Sequence, residues 1–124
     1  MAIPSGGGTE VLKVGYESAV SNTDITLVTA GTHEIVTVLS IIYCEMAGAA
    51  SKVLMYIDAG RTDLSGTSAV NVYLLYQQDL GIHETFVWND KFVLYGGDVL
   101  KTSLHTSGTC CATISYIVQD WDSS

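Results

Sequence analysis

The chain has 124 residues, of which 48% are apolar and only 15% charged, with a formal net charge of −8. That length fits one domain able to bury about two-thirds of its unfolded surface, and that balance excludes intrinsic disorder. The five cations (Lys13, Lys52, Arg61, Lys91 and Lys101) stand singly, whereas nucleic-acid binding requires clustered positive charge, and no apolar run approaches the ~20 residues of a membrane helix.

Helix periodicity is nearly absent, and short runs rich in Val, Ile, Thr, Tyr and Leu alternate with Gly, Asn, Asp and Ser. Residues 1–9, with Pro4 and then SGGG, read as a flexible arm, without the basic and apolar regions of a secretory signal. Strands are expected at 10–16 (EVLKVGY) and 24–29 (DITLVT). Residues 33–45 (HEIVTVLSIIYCE) form the longest run. Its apolar residues fall on both faces, which predicts a central strand covered on both sides, by the chain itself or by a neighbouring subunit.

Residues 52–58 (KVLMYID) alternate, with Val53, Met55 and Ile57 on one face, and a polar loop follows from Ala59 to Ser68. Residues 69–77 (AVNVYLLYQ) show no clean division of faces at Tyr73 to Tyr76. Further strands are expected at 82–88, with Phe86 and Trp88 on one face, at 91–95 and at 99–104. The last, 109–118 (TCCATISYIV), places Cys110, Ala112, Ile114, Tyr116 and Val118 together. About eight or nine strands spaced by turns predict an antiparallel β-sandwich, of jelly-roll type, in a single domain over 10–119 with a C-terminal tail at 120–124.

Between two of these strands stands Gly96-Gly97-Asp98. Two glycines permit positive φ, and the aspartate can accept nearby amides, so the segment reads as a structural turn. A catalytic role for Asp98 would need a partner carboxylate, or a nucleophile with its base. The thirteen carboxylates fall mostly at strand ends and in loops, where solvated acids belong. No catalytic residue, cofactor site or enzymatic activity is expected. His33, His83 and His105 lie at strand edges or turns without the spacing of a metal site, so no metal is expected. Cys44, Cys110 and Cys111 form an odd set that does not suit a disulfide framework, and they read as reduced thiols of a cytoplasmic product. In a strand, Cys110 and Cys111 point to opposite faces. Trp121, between two aspartates, and the tyrosines at 43, 56, 73, 76, 95 and 116 are candidates for stacking on sugars, although strand tyrosines usually pack.

The segments LSIIYCEMAG (39–48), KVLMYID (52–58), FVLYGGDVLKTS (92–103) and ATISYIVQ (112–119), in this order, resemble a loose pattern of small jelly-roll virion proteins of tailed bacteriophages. These are capsid decoration or cement proteins and related tail or fibre modules. The likeness spans residues 33–119. Cys44-Glu45-Met46 departs from it where such proteins often carry Asn and a polar turn, and Cys110-Cys111 is not part of the pattern. The resemblance implies a homotrimer that binds the major capsid protein on the outer surface of the phage head. It implies a virion protein assembled in the host cytoplasm, with a tail or fibre module that recognises host glycans as the alternative. In a cement protein, Ala2, Ile3 and Pro4 would be an apolar anchor reaching the capsid. Independently, the surplus apolar residues of 35–44 and 73–76 suggest a subunit interface.

Overall fold

The computed structural model describes residues 8–59, 62–68, 70–105 and 108–121. Ala2, Ile3 and Pro4 lie outside the described residues, as does the side chain of Trp121. The described residues form nine strands, β1 (Gly8–Val20), β2 (Ile25–Thr29), β3 (Glu34–Glu45), β4 (Ser51–Asp58), β5 (Asn71–Leu80), β6 (Thr85–Trp88), β7 (Phe92–Tyr95), β8 (Val99–Leu104) and β9 (Cys110–Trp121). Among the described residues, no helix is long and apolar enough to cross a membrane.

Two antiparallel sheets stack face to face. One has the order β1-β9-β3, with β6 and β7 both paired to the far edge of β3, and the other has the order β2-β8-β4-β5. β6 pairs with Ile41 to Cys44 and β7 with Ile35 to Val38, so the two act as one interrupted strand. The pairings nest: β1 with β9, β2 with β8, β3 with β6 and β7, β4 with β5. The chain is thus one long antiparallel ribbon rolled so that successive pairs alternate between sheets, the jelly-roll arrangement of a sandwich.

The core lies between the sheets. Val36, Val38, Ile41, Tyr43 and Ile114 from the five-stranded sheet meet Val53, Met55, Leu75, Leu80, Leu100 and Leu104 from the four-stranded one, all nearly inaccessible to solvent. Phe86, Trp88, Tyr116 and Val118 pack against this cluster, on the faces the alternation assigns them. Tyr43 also ties the sheets by hydrogen bonding. Its buried hydroxyl donates to Thr102 Oγ1 (2.9 Å), which in turn donates to the Leu54 carbonyl (2.7 Å).

β3 is central, as its sequence predicts, but part of its two-sided character has a local cause. The register against β9 shifts between Val38 and Ser40. Val36 and Val38 face inward before this bulge, and Ile41 and Tyr43 face inward after it, so the inward positions change parity. β5 behaves likewise. Its register against β4 shifts twice, Gln77 adopts φ of 58°, and Leu75 and Leu80 both reach the core despite their odd separation. The unclear division at Tyr73 to Tyr76 is therefore a bulged strand.

Candidate functional site

Residues that do not face the core line the outside of each sheet, and their identity follows from register. On the five-stranded sheet, four rows run across the strands: Leu12–Ile117–Thr37–Val93, Val14–Ser115–Ser40, Tyr16–Thr113–Ile42–Val87, and Cys111–Cys44–Thr85. None of these residues is charged. Tyr16 is 80% exposed, Leu12 66% and Val93 55%. The adjoining row, Glu10–Gln119–Ile35–Tyr95, brings in one carboxylate at a corner, and Gln119 Nε2 donates to it (3.2 Å). Leu12, Val14, Tyr16, Ile42, Val87 and Val93 stand exposed on it among serines and threonines, and contiguous apolar patches commonly mark contact sites.

The outside of the four-stranded sheet is polar. Lys52 of β4 pairs with Asp79 of β5, and Lys101 of β8 pairs with Asp58 of β4 (3.2 Å). Between them Tyr56 donates its hydroxyl to Asp24 (2.8 Å), and burial together with this carboxylate pushes the phenol up to about 12. The rings of Tyr56, Tyr73 and Tyr76 follow one another at 5.1 and 5.2 Å between centroids.

Gly96 and Gly97 adopt φ of 59° and 98°, which side chains disfavour. Asp98, 2% exposed, accepts the Tyr95 amide on its carboxylate (3.1 Å). Gly97 donates to the Ala30 carbonyl and Ala30 to the Asp98 carbonyl, both at 2.9 Å. The segment carries the chain from β7 in one sheet to β8 in the other and fastens it to the end of β2.

Glu45, met in the sequence only as part of the Cys44-Glu45-Met46 departure, is a buried carboxylate with a structural task. It is 3% exposed at the inner end of β3, and it accepts the amides of Gly48 (2.9 Å) and Ala49 (2.8 Å). Burial raises its pKa, but these amides outweigh that effect and hold it below the usual carboxylate range. Its work is to close the β3–β4 turn.

The three histidines are exposed. His33 sits at the start of β3, while His83 and His105 lie toward its other end, near Gly48 and Lys52. No group of three or more His, Cys, Asp or Glu is placed to hold a metal ion among the described residues. Cys110 faces the core, and burial pushes its thiol up to about 12, with Cys111, Cys44 and Glu45 adding to the effect. Cys111 faces outward, on the uncharged side of the sheet. Of the tyrosines considered for sugar stacking, Tyr43 is buried and Tyr116 packs inward. Tyr56, Tyr73 and Tyr76 cluster on the polar face, and Tyr95 stands on the uncharged one. Surface clefts of about 260 Å³ beside His33 and about 280 Å³ beside Leu64 are open and smaller than usual ligand pockets, which run from roughly 300 to 1,000 Å³.

Neither protein-family models nor curated protein sequences match the chain. Solved structures share the fold at low identity. A protein of Bacillus endospore appendages, described as disulfide-linked pili, is 11% identical with a TM-score of 0.50, over 97% of this chain and 95% of that one. The VP2 protein of infectious bursal disease virus is 11% identical with a TM-score of 0.52. That match covers 91% of this chain but only 32% of the viral one, so this chain spans about a third of the viral protein. The Drosophila NLP core, described in terms of pentamer formation and histone binding, is 13% identical with a TM-score of 0.50, over 86% and 97% of the two chains. The likeness establishes an antiparallel β-sandwich and says nothing of chemistry.

Proposed function

We propose that this chain is a structural virion protein, a capsid decoration protein of a tailed bacteriophage. It assembles as a homotrimer and cements the outer surface of the head by binding the major capsid protein. The uncharged outer face of the five-stranded sheet carries the reading. A domain that keeps ion pairs on one face and none on four successive rows of the other is built to have that second face covered. The fold suits such a role, since the same sandwich occurs in VP2 particles and in Bacillus pili, but the argument rests on the face. Three tethered copies would hold a capsid junction by avidity even if each contact is weak. The net negative charge favours a basic docking surface. The protein acts without catalysis or cofactor.

Light scattering behind a sizing column tests the assembly, with a mass three times that of the chain expected and a monomer overturning it. Sedimentation of the protein with phage heads stripped of their decoration protein tests the target. Heads that fail to retain it, or that gain no heat resistance from it, would remove the cement role.

The row formed by Tyr56, Tyr73 and Tyr76 favours a second reading, a tail or fibre module that grips host glycans by stacking. A glycan array separates the two: binding lost on Tyr76→Ala would support the module, and an empty array would leave the decoration reading.

A further inference from the structure

The uncharged face ends in sulfur. Cys44 of β3 stands directly across from Cys111 of β9. Met46, one residue past the end of β3, lies on the same side as Cys111. Cys111 Sγ lies against Met46 Sδ, and the thiol also points at the Ser18 carbonyl (3.5 Å). Both thiols are half-buried and Met46 is 58% exposed, so the group can be reached from solvent. Glu45, between Cys44 and Met46, points inward and spends its carboxylate on the turn amides, which leaves the cluster without this oxygen ligand.

Register decides what these sulfurs can do. The Met46 amide donates to the carbonyl of Thr109 (3.2 Å), whereas the Glu45 amide turns the other way, to Glu84 (2.9 Å). Hydrogen-bonded pairs alternate along an antiparallel ladder, so Cys44 and Cys111, one pair further on from Glu45 and Cys110, form a hydrogen-bonded pair. The Cβ atoms of such a pair stand near ~5.5 Å, beyond the ~3.5–4.5 Å that a disulfide spans. Two thiols too far apart to bond one another can still share one ion, since each metal–sulfur bond reaches ~2.3 Å. Two thiolates and a thioether make a soft donor set, which selects Cu(I) over harder cations.

We infer that Cys44, Cys111 and Met46 form a three-sulfur site for a soft monovalent cation of the Cu(I) type. Binding releases the two thiol protons to solvent, forms two copper–thiolate bonds in place of the cation's bonds to bicinchoninate, and breaks the thiol contacts of Cys111 with the Ser18 carbonyl and of Cys44 with the Glu45 carbonyl. Met46 adds its lone pair without proton loss, and no oxidation state changes. A single chain supplies all three ligands, so the site needs no partner copy, and because Cys44 and Cys111 form the last row of the face proposed to be covered, its access depends on that row standing at the rim of the contact.

The test is an anaerobic titration of the reduced full-length protein with the Cu(I)–bicinchoninate complex. About one equivalent of copper should pass to the protein, with a new near-ultraviolet thiolate-to-copper absorption. Cys111→Ser should weaken retention by more than about 100-fold, and Met46→Leu, an exposed change that spares the fold, by about tenfold. Cys110→Ala, which removes the inward thiol, should leave the uptake unchanged. Failure to draw copper from bicinchoninate overturns the site, as does uptake indifferent to Cys111→Ser and Met46→Leu or lost on Cys110→Ala.

Discussion

The five-stranded and four-stranded sheets bury a common core, but their outer faces differ in kind. On the four-stranded sheet, cross-strand positions carry opposite charges, Lys52 with Asp79 and Lys101 with Asp58, and Tyr56 is anchored to Asp24. On the five-stranded sheet the equivalent positions carry Leu12, Ile117, Thr37, Ile42, Val87 and Val93. Inner faces of any sandwich must be apolar, so they say little about use. An outer face is free to be polar, and one that is not has a reason outside the fold. The contrast therefore points the functional search at one side of the molecule.

The largest effect should come from placing a charge in the middle of the uncharged face. Ile42→Lys is expected to raise the dissociation constant of the assembly by more than about 100-fold, because the ammonium would be buried without a partner, while the lone chain keeps its fold. Light scattering across a dilution series measures the first effect and circular dichroism checks the second. A smaller loss should follow from cutting the tie between the sheets. Thr102→Val leaves the buried Tyr43 hydroxyl without its acceptor and should cost about 2 kcal/mol in denaturant unfolding, with assembly unchanged in the folded protein.

On the polar face, Tyr56→Phe removes one hydrogen bond to a carboxylate and should cost about 1 kcal/mol at neutral pH. The change also has a pH signature. The folded-state pKa of Tyr56 lies at about 12, above its ordinary value of 10.0, so its contribution is full below pH 10 and is lost as pH rises toward 12. The variant should lose less stability over that window than the parent, as followed by unfolding at stepped alkaline pH. Smallest of all, Lys52→Met breaks an exposed ion pair and should move stability by less than about 0.5 kcal/mol without affecting assembly. A loss of assembly from Lys52→Met, matched by tolerance of Ile42→Lys, would reverse the assignment of the two faces.

Much of the fold was legible because strand side chains alternate with a period of two. The runs at 52–58, 82–88 and 109–118 show their inner faces directly, and the strands fall within a few residues of the expected bounds. Legibility failed where bulges intervene. At Val38 to Ser40 and along β5 an extra residue changes which parity faces inward, and a mixed pattern in the sequence cannot be told from a strand covered on both sides. Leu12, Val14 and Tyr16 show their alternation in the sequence, but nothing there says which of the two sides is the outer one.

By itself the sequence determined the class: short β runs, the turn at Gly96-Gly97-Asp98 and a low charge content leave little choice but an antiparallel sandwich. These are local properties, set by backbone preference and by alternation. Only the tertiary structure decided which strands lie side by side, because pairing joins residues far apart in the chain through hydrogen bonds that no local pattern encodes. That pairing put Leu12, Ile117, Thr37 and Val93 in one row and set Cys44 against Cys111 across sixty-seven positions of sequence, which is where the two functional readings originate.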